Sequence, residues 1–479
     1  VHIETQNAEF SPPIDSLPNL FTQTTMKPLE TWPRRTFLKT TAAATAGALL
    51  PSVPLLAQRD DRPVRLAFIG VGLRGRNHLQ NALQFPGVQV TALCDVDPDA
   101  LAKSQQILAK AGRREAPTYG KSDRDYERML QRDDIDGVII ATPWEWHVPM
   151  AVATMKAGRY AGVEVSATVT LQESWDLVNT HEKTGAHCMI LENVCYRRDV
   201  MAVLNMVRQN VFGEIGHLQC GYQHDLREVK FNDGKKPYGG GVEFGPKALS
   251  EARWRTQHSV DRNGDLYPTH GLGPVAEMIN INRGNQFLYL TSMASPARGL
   301  HQYVVDKGGP DHPNAKVKFK LGDVVQTMIK CANGETILIT HDTNLPRPYS
   351  LGFRVQGTKG LWMDDGDQIY LEGVSPKPHQ WEPADSYLKK YDHPYWKKLE
   401  KEAEGAGHGG MDYFVLLDFI TAIREKAAPS IDVYDAAAWS AISPLSEESI
   451  RKNSASVPIP DFTRGKWKTR RPVFALAEA

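Results

Sequence analysis

The chain is 479 residues long and 41% hydrophobic, and its 56 basic residues balance 56 acidic ones to a formal net charge of zero. That length and apolar content suit two globular domains, each with its own core. The balanced, interspersed charge excludes the basic field that drives nucleic-acid or anionic-membrane binding, and it points to a small or neutral substrate.

The first informative stretch is Arg34-Arg35-Thr36-Phe37-Leu38-Lys39, ahead of an apolar run over residues 40–57. It resembles a twin-arginine export signal, which makes residues 1–57 a leader, the twin-arginine machinery a partner and the periplasm the destination, with secretion as the further option. Gly47, Pro51 and Pro54 interrupt the run, and no other stretch is apolar for long enough to span a bilayer, so stable membrane insertion is not expected. Cleavage is expected near Ala57. Met26 precedes the arginines, which leaves two expected starts, Val1 or Met26, the second making residues 1–25 an upstream extension.

Residues 65–78, RLAFIGVGLRGRNH, organise the rest of the chain. An apolar strand over 66–69 meets Gly70, Gly72 and Gly75 in G-x-G-x-x-G spacing, a helix is predicted over 76–83, and a second strand over 88–94 ends at Asp95. The first glycine makes the turn, the second admits a pyrophosphate, and the third lets helix pack on strand; the acid holds a ribose diol. Val96 and Asp97 come next with no Arg to receive a 2′-phosphate, so NAD is favoured over NADP.

Beyond them lie a helix over 99–110, a short strand and helix around 126–130, and a buried parallel strand over 137–142 that leads into Trp144-Glu145-Trp146-His147. A helix over 148–157, a strand over 162–165 carrying Glu164 and Val165, a helix over 173–184 and a strand over 187–191 deliver Glu192 and Asn193 to the same rim. Ligands bind beyond the carboxyl ends of such strands, so this rim faces the nicotinamide half, although the two tryptophans and the histidine could equally form a packed loop. The first domain is therefore an α/β Rossmann domain over residues 62–195.

Residues 196–465 are expected to form an α+β domain with an open, mostly antiparallel sheet and C-terminal helices, succeeded by a tail at 466–479. A helix is predicted over 199–210 and strands over 217–224, 287–293, 324–330, 336–340 and 350–356, with Asn333-Gly334 as a hairpin turn. Two long segments, 225–265 and 372–410, read as solvated lids; Trp381, Tyr387, Tyr391, Tyr395 and Trp396 in the second are lid anchors or sugar-stacking rings. Cys94, Cys188, Cys195, Cys220 and Cys331 have neither zinc-ligand nor redox spacing and read as buried free thiols, and no metal site is assigned.

A Rossmann unit joined through Gly213-Glu214-Ile215-Gly216 to an open-sheet domain resembles the glucose–fructose oxidoreductase, inositol dehydrogenase and rhizopine-catabolism superfamily from residue 64 to 462. The chain departs from that superfamily's Glu-Lys-Pro motif, having Glu164-Val165-Ser166, and its Tyr267-Pro268-Thr269-His270 has no Asp before the His within the motif. GVGLRG, WEWH, Glu164-Val165, Asn193, Tyr222, Arg255, YPTH, Tyr349 and Gly407-His408-Gly409-Gly410 together resemble glycoside hydrolase family 109, with Ala406 in place of one further glycine.

That resemblance implies an NAD-dependent α-N-acetylgalactosaminidase acting on a glycan or glycoside by oxidation at sugar C3, elimination of the aglycone, water addition and re-reduction. It implies an NAD shell of Gly70, Gly72, Leu73, Arg74, Gly75, Asp95, Trp144, Glu145, Trp146, His147, Glu164, Val165 and Asn193, and a sugar shell of Tyr222, Arg255, Tyr267, Pro268, Thr269, His270 and Tyr349. His408, with glycine neighbours that allow movement and a helix expected from about Met411, is the first candidate for acid–base chemistry; His270 is the second, with Tyr267 beside it. The plainer alternatives are an exposed loop histidine at 408 and a hydrogen-bonded structural one at 270. A periplasmic sugar oxidoreductase and a non-catalytic sugar-binding protein with structural NAD are the competing functions, and a homo-oligomer is left open.

Overall fold

The structure, a computed structural model, describes residues 62–476; the export signal, its cleavage site and Met26 lie outside the described residues. Continuous apolar runs make the first sheet, which is parallel and buried on both faces as such runs require. Its strands are β1 (Val64–Ile69), β2 (Val88–Cys94), β3 (Thr118–Tyr119), β4 (Gly137–Ile140), β5 (Tyr160–Val163) and β6 (Cys188–Ile190), in the order β3-β2-β1-β4-β5-β6. This is the doubly wound arrangement, and its crevice lies beyond the carboxyl ends of β1, β4 and β5.

Several boundaries differ from the sequence reading: the helix expected over 76–83 spans Leu73–Ala82, the strand expected over 137–142 ends at Ile140, and two further differences bear on the site. The helix after β4 begins at Trp144, not Val148, because Pro143 fixes the extended residue ahead of it and WEWH becomes its first turn. Strand β5 ends at Val163, so Glu164 and Val165 stand just beyond the sheet, where a side chain can face a ligand.

The second sheet has nine strands: β7 (Ile215–Gln223), β8 (Phe287–Ala294), β9 (Val324–Cys331), β10 (Thr336–Asp342), β11 (Arg354–Gly357), β12 (Gly360–Met363), β13 (Gln368–Leu371), β14 (Glu382–Pro383) and β15 (Val457–Pro458). They run in the order β14-β13-β12-β11-β7-β10-β9-β8-β15, antiparallel except for β7 beside β10. Alternation along β9 buries Val325, Thr327, Ile329 and Cys331 and turns Gln326 and Met328 outward, the signature of a sheet with one covered face. The β9–β10 hairpin turns at Asn333-Gly334, where Gly334 takes a φ of 109°. The predicted strand over 350–356 shortens to β11, with Ser350 retained only as a bridge to Gln223.

Of the two segments expected as solvated lids, 225–265 is largely packed, whereas 372–410 stays mostly exposed on a few buried anchors. Lys230, Asn232, Phe231 and Arg255 of the first are buried, and in the second the buried Trp396 donates its indole N–H to the Tyr196 carbonyl at 2.8 Å, while Trp381 stays exposed. The expected tail also packs: Phe474 is buried, and Arg208 donates to the carbonyls of Phe474 and Ala475, each at 2.7 Å. All five cysteines are buried free thiols.

Two packing contacts carry the site. The helix Met411–Glu425 lies against the first sheet so closely that a Cβ on Gly137 would come within 2.5 Å of Ile423 Cδ1. The helix Thr269–Met278 lies on β7 with Gly271 against Gly221, where an added Cβ would sit 2.5 Å from the Gly221 nitrogen. Bare backbone at both places lets a helix from late in the chain reach the crevice.

Candidate active site

The three glycines behave differently. Gly70 has φ +80°, and a Cβ there would meet the Ala141 carbonyl oxygen at 2.6 Å; a Cβ on Gly75 would fall 1.8 Å from the Gly70 oxygen. Turn and helix packing therefore demand glycine at 70 and 75. Gly72 is the opposite case: a Cβ there meets nothing within 4 Å. It precedes the helix Leu73–Ala82, which has no side-chain cap and no acid in its first turn, so no capping side chain occupies its leading N–H groups. Uncapped N–H groups, a positive helix end and bare backbone make a cradle that fits a pyrophosphate.

Asp95 closes the loop from the end of β2. Its carboxylate accepts the Val71 N–H at 2.7 Å and the Asp97 N–H at 2.9 Å, while burial pushes its pKa up. It therefore fixes the glycine turn as well as standing at the ribose position.

Beside the cradle lies a buried charge network. Arg74 donates to Glu164 at 2.5 Å and forks onto Asp412 at 2.7 and 3.1 Å. His78, fully buried, meets the same Glu164 oxygen at 2.5 Å, and Asn193 donates to Asp412 at 2.7 Å. The His408 Nδ1 lies 2.9 Å from Asp412 and 3.3 Å from Arg74. Burial alone would raise both carboxyl pKa values, but the Arg74 charge and the bonds from His78 and His408 hold Glu164 and Asp412 well below the usual carboxylate range. Burial and the Arg74 charge push His78 downward. His408, at φ +53° between Gly407 and Gly409, thus sits over the first helix of the nucleotide domain.

A second cluster is built from aromatic rings. Tyr267 lies 5.7 Å from Trp144, 4.7 Å from Tyr222 and 4.9 Å from His270, and the Arg255 guanidinium rests over Trp144 at 5.1 Å and over Tyr267 at 4.8 Å while pairing with Glu251. The Tyr222 hydroxyl reaches His224 Nδ1 at 3.2 Å, and His224 leads by an edge contact of 5.0 Å to the half-exposed Tyr349. Burial drives the phenol pKa values of Tyr222 and Tyr267 upward. Aromatic faces beside a guanidinium suit a sugar ring with its hydroxyls. His270 Nδ1 lies 2.7 Å from a carboxylate oxygen of the fully buried Glu192.

The structure thus brings Trp144, Tyr222, Arg255, Tyr267 and His270 together and gathers Gly72, Arg74, Glu164, Asn193 and His408 into the other cluster. Val165 is buried, and its peptide with Ser166 is cis. Pro268 leads into the helix that Thr269 begins. Leu73 is partly exposed and Trp146 half-buried, whereas the buried His147 ring lies between two carbonyls, Nδ1 2.8 Å from that of Ser166 and Nε2 2.9 Å from that of Thr142, and in its neutral form donates to one of them. His408 makes its contacts with Arg74 and Asp412, not with the aromatic cluster. Sequence reading misses Asp412 and His78 and leaves Glu192 without a role. Asp412 has a signal, an acid four residues after His408 at the start of a helix; His78 has none.

Known proteins divide the chain at the same place. Residues 196–469 match the model described as glycosyl hydrolase 109, C-terminal domain; residues 64–191 match the oxidoreductase family, NAD-binding Rossmann fold; and residues 33–51 match the twin-arginine translocation pathway signal sequence. A Tannerella forsythia protein named alpha-N-acetylgalactosaminidase is 59% identical over 88% of this chain and 90% of its own length. Proteins named glycosyl hydrolase family 109 protein from Parabacteroides distasonis and Stenotrophomonas maltophilia are 57% and 56% identical, over 91% and 92% of this chain and 94% and 98% of theirs. Among solved structures, levoglucosan dehydrogenase in complex with NADH and levoglucosan aligns with a TM-score of 0.61 at 19% identity, covering 83% of this chain and 100% of that one. An inositol dehydrogenase homolog complexed with NAD⁺ from Azotobacter vinelandii aligns at 0.60 and 17%, covering 83% and 97%. At such identities these two share the fold alone.

Proposed function

The chain belongs to glycosyl hydrolase family 109, and from that premise we propose that it is an NAD-dependent glycosidase, exported by the twin-arginine route to the periplasm, that hydrolyses terminal N-acetylgalactosaminides of the α configuration. The observation that carries the reading is that Trp144, at the rim of the nucleotide sheet whose glycine turn fits a pyrophosphate, packs 5.7 Å from Tyr267 of an aromatic sugar floor holding His270, where the lysine of the oxidoreductases is replaced by buried Val165. The charge network is internally paired and does not offer the two free carboxylates of an ordinary glycosidase.

Gly70, Gly72, Leu73, Arg74, Gly75, Asp95, the first turn Trp144 to His147, Glu164, Val165 and Asn193 would hold NAD. When bound, the cofactor supplies reversible hydride acceptance from sugar C3. Tyr222, Arg255, Tyr267, Thr269 and Tyr349 hold the ring, and His270 takes the C3 hydroxyl proton. The ketone acidifies C2–H; a base removes that proton and the aglycone leaves from C1. His408, on its glycine-flanked loop, is the base proposed for C2. Water then adds, and His270 returns its proton as the alcohol is restored.

Incubation of the protein with p-nitrophenyl α-N-acetylgalactosaminide in D₂O tests this reading. Nitrophenol release with deuterium at C2 is expected; release without exchange refutes the elimination route, and net NADH accumulation without release supports a sugar oxidoreductase instead.

A further inference from the structure

Resting on that reading, the identity of the hydroxyl-proton acceptor can be argued from the groups around the aromatic floor. Glu164 is committed to Arg74 and His78, which hold its carboxyl well below the usual range and make it a weak base. Both His147 nitrogens face carbonyls. Tyr222 and Tyr267 are phenols whose ionisation burial opposes. His270 differs: Nδ1 is held by Glu192, and Nε2 has no hydrogen-bond partner among the described residues.

Glu192 stands out in its own right. It is fully buried; one carboxylate oxygen serves both His270 and the Val194 N–H, at 2.7 and 3.1 Å, and the other has no partner. Its slot is cut into the same helix that carries His270, since a Cβ on Gly273 would press to 3.0 Å from Glu192 Cγ. A buried, half-satisfied carboxylate is a poor stabiliser compared with an apolar side chain of like volume. What it supplies is an acceptor that cannot donate, so Nδ1 must carry the proton and Nε2 must present its lone pair.

We infer that Glu192 is the positioning residue of His270, fixing the tautomer that makes Nε2 the acceptor of the sugar hydroxyl proton. With NAD⁺ bound to supply hydride acceptance, the C3 O–H bond would break, its proton passing to His270 Nε2 and its electron pair forming the C=O bond, with the buried Glu192 carboxylate facing the resulting imidazolium. The return step reverses each transfer. The Glu192–His270 pair thereby supplies proton transfer at a site whose strand-end lysine position is occupied by Val165.

The tests are kinetic and spectroscopic on full-length protein carrying its NAD. Glu192→Gln, which keeps the shape and an oxygen for Val194, should lower kcat about 10²-fold while KM changes less than about threefold and NAD per chain stays at the wild-type level. In ¹⁵N-histidine-labelled wild type, with His270→Asn used only to assign the resonance, His270 should be Nδ1-protonated; in Glu192→Ala it should shift toward the Nε2-protonated form. Wild-type kcat in both Glu192 variants, or an Nε2-protonated His270 in the wild type, overturns the proposal. The wild-type tautomer decides even if the variants fold poorly. A wild type that releases no nitrophenol refutes the glycosidase reading separately, because the tautomer is measured without turnover.

Discussion

Arg74 is the residue whose loss should be felt most widely. Replacing it with Met removes three charge-assisted hydrogen bonds and leaves Asp412, which is 0% exposed at its side chain, and Glu164, which is 10% exposed, without their guanidinium. Breaking a buried pair by removing one partner costs about 3–5 kcal/mol, and the Arg74 side chain, 25% exposed, places the expected loss near the middle of that range, at about 4 kcal/mol. With a specific unfolding entropy of roughly 2 cal/mol/K per residue, a unit of this size should melt about 5 °C lower. The pH dependence provides a second axis. The carboxyl pKa values of Glu164 and Asp412 are depressed in the folded state, so their contribution is fully present above the unfolded value near 4 and is lost as pH falls toward the lower folded values. The wild-type advantage over Arg74→Met should therefore be full at pH 7 and shrink from about pH 5 down to about pH 3. Differential scanning calorimetry across that range measures both effects, and bound NAD is assayed on the same samples after dialysis. A variant that melts within about 1 °C of wild type at pH 7, with an unchanged acid slope, would refute the reasoning.

The same geometry sets other expectations. Gly72→Ala should leave the melting temperature of NAD-free protein unchanged but strip NAD on dialysis, whereas Gly75→Ala, whose Cβ would fall 1.8 Å from the Gly70 oxygen, should cost about 3 kcal/mol in urea unfolding. Burial pushes the Asp265 carboxyl up to about 7, with one oxygen accepting the Tyr267 N–H and the other unpaired. Because the folded state then holds a proton that the unfolded state has lost, wild type should lose stability as pH rises from about 4 to about 7 and Asp265→Asn should not; parallel urea curves for the two proteins at pH 5 and pH 8 would contradict this. His270→Ala should abolish the transient nicotinamide absorbance seen on mixing with substrate, while His408→Ala should allow that absorbance but suppress deuterium incorporation at C2. The same response in both variants would collapse the two proposed roles into one.

The nucleotide half is legible in the sequence because its signals are local. An apolar run, three glycines and an acid at the end of the next strand lie within 31 residues of one another, and each has a steric or electrostatic reason that survives without tertiary context. WEWH is legible as a loop-end motif but not as a helical turn, since its helix start depends on Pro143 rather than on periodicity. The second sheet is readable where strands alternate, as in β9, and not where short strands such as β12 and β13 lie amid charged residues. The charge network is not readable. Arg74 and Asp412 are 338 positions apart, and nothing near either residue announces the other. The partner of His270 is hidden for the same reason: the superfamily pattern directs attention to an Asp shortly before the histidine, but Asp265 accepts the Tyr267 N–H instead and the carboxylate comes from Glu192, 78 positions upstream.

The contact between Arg74 and Asp412 has a consequence for the order in which the protein can be made. Strands β1 to β6 leave the ribosome long before the helix Met411–Glu425, whose Phe419 and Ile423 fill the hollows left by Gly162 and Gly137 and whose Asp412 neutralises the cation at the nucleotide cradle. Until that helix arrives, the cradle lacks one wall and Arg74 lacks half of its counter-charge. A chain cut short before residue 411 would therefore display a recognisable nucleotide fold without a finished binding site. The C-terminal part is thus the keystone of the N-terminal domain's pocket, and only a completely synthesised, folded molecule, the form that twin-arginine export carries, has that pocket closed.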